Sequence, residues 1–93
     1  MRERTVEQAL TQTVRAAGGL CWKFTSPGLA GVPDRIILLA GNKIGFIEVK
    51  APGHPPRPIQ LRRLEQIRAL GIPALVIDHP DQIPGAINAI RTA

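Results

Sequence analysis

Two apolar, β-branched runs constrain this chain more than any other feature: DRIILLA (residues 34–40) and KIGFIEVK (residues 43–50), joined by Gly41-Asn42. A Gly-Asn pair between such runs predicts a β-hairpin. Both runs are apolar at consecutive positions, so the sheet is expected to be covered on both faces. Yet the hairpin carries Asp34, Glu48 and Lys50. Charge among Ile, Leu and Phe is costly unless it is paired or binds a cation.

Glu48 and Lys50 are two apart on one strand and share a face. A plain two-residue loop would pair Ala40 with Lys43 and therefore Asp34 with Val49. Paired residues share a face, so Asp34 would turn away from Glu48. Convergence of the two carboxylates requires an odd loop, a bulge, or Asp34 outside the regular ladder, which Pro33 favours. A departure from the simple register is expected. Two carboxylates with one ammonium suit Mg²⁺ or Mn²⁺, which take hard oxygen ligands and also accept phosphate oxygens. Lys50 would then position the attacking oxygen or stabilise developing charge on phosphorus oxygens.

Around the hairpin, Val6, Ala9, Leu10, Val14 and Ala17 recur at helical spacing. They predict a helix over 4–17, with Thr5 as N-cap, Gln8 completing a capping box, and Gly18-Gly19 ending it. LCWKF reads as a short strand and TSPGLAGVP as a loop. Pro58 opens a second helix, to about Leu70, with Leu61, Leu64, Ile67 and Leu70 as its buried stripe. ALVID is a further strand. Ile83, Ala86, Ile87 and Ile90 mark a last helix, in which Pro84 is tolerable near the start. The order α-β-β-β-α-β-α predicts an α/β fold, a four-stranded mixed sheet flanked by helices. Residues 1–93 read as one domain, without repeat or linker.

The formal net charge is +5, which favours a polyanionic partner. Trp22, Phe24 and Phe46 are the only aromatics, too few for a base-stacking platform. The single Cys21 permits no internal disulfide and reads as a small buried hydrophobe. No apolar run spans a membrane, and MRERTVEQAL lacks a signal core, so a cytoplasmic protein is expected. His54 and His79 have no ligand-spaced partner and read as loop residues. No Gly-rich phosphate loop or Ser-His-Asp set is present, which disfavours nucleotide use and covalent catalysis.

GVPDRIILLAGNKIGFIEVKAPG followed by PIQ resembles the VRR-NUC family of the PD-(D/E)XK, restriction endonuclease-like nuclease superfamily. The similarity runs from Glu7 to ALVI. It implies a catalytic set of Glu7, Asp34, Glu48, Lys50 and Gln60. It also implies a Mg²⁺ or Mn²⁺ site made by Asp34, Glu48, the Val49 carbonyl and Glu7. With no extra domain, the chain resembles the stand-alone form of phages and bacteria, which is similar to homodimeric Holliday-junction resolvases.

The expected activity is divalent-metal-dependent hydrolysis of DNA phosphodiesters, selective for branched or junction DNA, by a homodimer in a bacterial or phage-infected host cytoplasm. Gln60 would support Lys50 or a phosphate. Lys23, Ser26, Arg35, Arg57, Arg62 and Arg63 are the candidate DNA contacts. The alternatives are a flap- or nick-directed nuclease and a non-catalytic DNA-binding module within a complex. For the dimer interface, the first strand with its flanking loop and the last helix, with its Ile83-Ile87-Ile90 stripe, are the candidates.

Overall fold

A computed structural model describes residues 1–93. Its elements are α1 (Glu3–Ala16), β1 (Leu20–Lys23), β2 (Arg35–Leu39), β3 (Lys43–Val49), α2 (Pro58–Arg68), β4 (Ala74–Ile77), a 3₁₀ turn (Pro80–Gln82) and α3 (Ile83–Arg91). The strands lie in the order β1-β2-β3-β4. The first two pairings are antiparallel, and β3 pairs with β4 in parallel. The mixed α/β sheet expected from the sequence is present.

One face of the sheet is closed. Val6, Leu10 and Val14 of α1 and Ile83, Ala86, Ile87 and Ile90 of α3 pack with Ile37, Ile47, Val49 and Ile77 into one buried cluster. Gly45 admits this packing. A Cβ there would lie 2.5 Å from the Ile90 side chain, so α3 can seat only on a strand residue without one. Because α3 commits its apolar stripe to this core, it is not available as a dimer interface.

The other face is only half covered, contrary to the expectation of two closed faces. There α2 packs over β4, and Leu64 is fully buried. Leu20, Trp22 and Ile44, which the register places on the same face as Phe46, stay exposed. The expected stripe of α2 is also corrected. Leu61 is 43% and Leu70 80% exposed, while Gln60 is buried. Helix α2 ends at Arg68, so Leu70 lies beyond it, and Leu61 stands about 100° round the helix from Gln60, off the buried face. The inward face runs through Gln60, Leu64 and Ile67 instead.

Helix α1 begins at Glu3 with Arg2 as N-cap and no side-chain cap. Thr5 is therefore inside the first turn, not the cap. Its N–H donates to the Arg2 carbonyl.

Candidate active site

The hairpin loop decides the geometry. Leu39 pairs with Lys43, leaving a three-residue loop of Ala40, Gly41 and Asn42. Gly41 and Asn42 both have positive φ, 81° and 63°, conformations that Gly and Asn tolerate best. The odd loop shifts the register, so that Arg35 pairs with Ile47. One step further places Asp34 opposite Glu48, on one face of the sheet. Asp34 lies just before β2 and stands in for a ladder acceptor. Its Oδ2 accepts from the Val49 N–H at 2.9 Å, while its carbonyl accepts from the Phe24 N–H at 2.7 Å.

Glu48 is 1% exposed. Its Oε2 accepts from Gln60 Nε2 at 2.7 Å and lies 3.3 Å from Lys50 Nζ. Its Oε1 is buried with no partner. Gln60 therefore anchors Glu48, not Lys50 or a phosphate as the sequence suggested. Gln60 Oε1 accepts from the Arg57 N–H at 2.8 Å, so the opening turn of α2 fixes the amide. Burial, and then the charge of Asp34, push the Glu48 carboxyl up to about 7, against the pull of Lys50. A carboxylate oxygen buried without a donor, beside a second carboxylate, suits a cation. A divalent ion shared with Asp34 would satisfy Oε1 and relieve the repulsion. The residues fit such an ion.

Glu7 projects from α1 toward the same strand end. Its Oε2 takes Arg35 Nη2 at 3.1 Å. Arg35 is thus committed to Glu7, which corrects its reading as a free phosphate contact. Glu3, Glu7 and Asp34 bring carboxylate oxygens within 4.8 Å of one another. Glu3 escaped the sequence reading, although it precedes Glu7 by one helical turn, the i, i+4 relation that puts two side chains on one face.

The other candidates are spread around this end of the sheet. Lys23 is exposed and pairs with Arg35 across the strands. Ser26 is half-buried, and its carbonyl accepts from Leu29. Arg57, the N-cap of α2, and Arg62, on its first turns, are exposed. Arg63 is engaged elsewhere: its Nε donates to the Ala30 carbonyl at 2.9 Å and Nη1 to Gln66 Oε1 at 3.0 Å. It ties α2 to the loop before β2, and two of its donors are unavailable to DNA. Burial pushes the Cys21 thiol up, which suits packing and not nucleophilic attack.

No family model matches the chain. Among curated proteins, it is 47% identical over 81 residues to "Putative nuclease p44" of Acyrthosiphon pisum secondary endosymbiont phage 1, a match that covers 87% of each chain. Among solved structures, a "VRR_NUC domain" superposes with a TM-score of 0.85 at 31% identity, covering 92% of this chain and 94% of that one.

Proposed function

The chain belongs to the VRR-NUC family of nucleases, and from that premise we propose that it is a divalent-metal-dependent endonuclease hydrolysing DNA phosphodiesters, with a preference for branched DNA. One observation carries the metal: the orphaned, buried Oε1 of Glu48 beside Asp34. Asp34, Glu48 and the Val49 carbonyl would hold Mg²⁺ or Mn²⁺, with Glu7 assisting. The ion would polarise the scissile phosphate and lower the pKa of a bound water.

The chain's own groups do the remaining work. Gln60 and Lys50 fix one oxygen of Glu48 and leave the other free for the cation. The Val49 N–H fixes one oxygen of Asp34. The Lys50 ammonium, on the same face as both carboxylates, positions the attacking oxygen and offsets negative charge developing on the phosphate oxygens. Glu7, held by Arg35, supplies a further acceptor at the mouth of the site.

A homodimer is part of this reading, since a four-way junction needs two symmetric cuts. The half-covered sheet face supports it. Leu20, Trp22 and Ile44 are exposed there, and Leu29 and Leu70 line an adjoining cleft of about 230 Å³ with Phe24 and Phe46. Contiguous apolar surface of this kind marks interaction sites. No helix is long and apolar enough to cross a membrane. A DNA substrate accords with a protein of the cytoplasm.

The test is cleavage of labelled junction, flap, nicked and linear DNA with Mg²⁺, with Mn²⁺ and with chelator, alongside Mn²⁺ calorimetry. The proposal expects metal-dependent cutting with the junction preferred. A nuclease for flaps or nicks would cut those substrates first. A module that only binds DNA would take up no Mn²⁺ and cut nothing.

A further inference from the structure

We infer that the polar face of α1 is a track for the DNA backbone, holding the phosphates of the arm that leads to the scissile bond. This rests on the nuclease reading and adds a surface to it. Arg4, Gln8, Gln12 and Arg15 fall at i, i+4, i+8 and i+11, one side of a helix whose other side buries Val6, Leu10 and Val14. With Glu7 and Arg35 they line an open groove of about 620 Å³ that has no apolar lining residue.

The two helix arginines have no structural employment. Neither Arg4 nor Arg15 is in any of the three ion pairs or makes a side-chain hydrogen bond. A cation at Arg15 suits the last turn of a helix, but one at Arg4, in the first turn, opposes the dipole. Helix stability therefore does not account for Arg4. The Arg35 guanidinium, held by Glu7, adds a fixed positive charge to the lining of the groove.

The groove is continuous with the site, because Glu7 and Arg35 belong to both. The exposed Lys23, opposite Arg35 on β1, extends its positive side. From Arg4 to Arg15 the helix rises about 16 Å, the axial rise of about five base pairs of duplex. Guanidinium forks and amides match phosphate oxygens and carry no sequence information. An acidic protein partner would need an apolar anchor, and the groove offers none.

The test is binding of a labelled 30-base-pair duplex, followed by anisotropy in chelator across a salt series. Arg4→Ala/Arg15→Ala should weaken binding on the order of tenfold or more at low salt. It should also flatten the dependence of log Kd on log salt by about 2, roughly 0.9 for each phosphate left without its cation. Arg4→Lys/Arg15→Lys should restore most of the slope. Gln8→Glu/Gln12→Glu, which keeps both arginines, should weaken binding at least as far, with circular dichroism melts showing each variant folded. If the wild type binds and cuts DNA while the alanine and glutamate variants keep its affinity and slope, the track is wrong and the nuclease reading stands. If the wild type neither binds nor cuts, both fall.

Discussion

The two faces of the sheet have divided the work. On the closed face, Ile37, Ile47 and Val49 are fully buried between α1 and α3, and its charges, such as Arg35 paired with Glu7, stand at the strand ends. On the half-covered face, Glu48 and Lys50 alternate with those residues along β3, and Asp34 joins them through the three-residue loop. A strand has period two, so a single run, FIEVK, serves both sides at once. Apolar residues at every second position supply stability, and the charged residues between them supply chemistry. Helix α2 contributes one polar group to that second side, Gln60, and leaves the β1–β2 half bare.

The largest expected effects separate the faces by what they break. Asp34→Asn and Lys50→Ala should each cut DNA cleavage by on the order of 10²–10³-fold, the usual loss when a charge-stabilising group is removed from an active site. Their melting temperatures should fall less than that of a core truncation, since both residues are only partly buried. Full metal-dependent cleavage by Asp34→Asn would remove the half-covered face from the chemistry. Ile47→Ala, one position before Glu48, should do the opposite. It should lower stability by about 2–5 kcal/mol in urea unfolding and leave cleavage per folded molecule near wild type. Comparable loss in both assays for both variants would show that the division does not exist.

A smaller effect should appear with pH. In chelator, the Glu48 carboxyl binds its proton up to about 7 in the folded protein, whereas an unfolded glutamate releases it near 4.3. Between those values the folded state holds more protons, so stability falls as pH rises through that window. Melting temperature should therefore drop from pH 5 to pH 8. Adding Mn²⁺ at pH 8 should recover the loss, because the cation takes the place of the proton. Glu48→Gln should flatten the pH profile and gain nothing from Mn²⁺. A flat wild-type profile in chelator would mean that the buried carboxylate is satisfied in some other way.

Much of this division was legible in the sequence. The β-branched runs gave the hairpin, and the spacing Glu-x-Lys gave a shared face. The demand that Asp34 reach that face excluded the two-residue loop. The loop that solved the problem was not legible, because Gly41-Asn42 fits both two- and three-residue turns. Side-chain partners that join distant segments were equally hidden. Gln60 meets Glu48 only after α2 rotates its apolar Leu61 outward, and Arg35 meets Glu7 only when α1 lies beside β2. Glu3 and the Arg4–Arg15 stripe carried a periodic signal, but one that polar surface helices also show.

The smallest expected change in stability lies at Trp22, and it probes the bare half of the open face. Trp22 is 56% exposed on an edge strand with one unpaired side. Truncating an exposed side chain of a monomer alters stability within about 0.5 kcal/mol. If the bare half is the contact between two copies, Trp22 is the side chain most suited to anchor it, since buried tryptophan dominates many interfaces. Trp22→Ser should then convert a dimer to a monomer in light scattering at micromolar concentration, while urea unfolding of the isolated chain stays close to wild type. Each monomer keeps Asp34, Glu48 and Lys50, so nicking of one strand should persist while paired cuts across a junction disappear. The opposite salt responses of the two surfaces provide a check. The apolar interface should strengthen with added salt as DNA binding weakens. A wild-type monomer, or a Trp22→Ser variant that still makes paired cuts, would assign the exposed face to something other than a second copy.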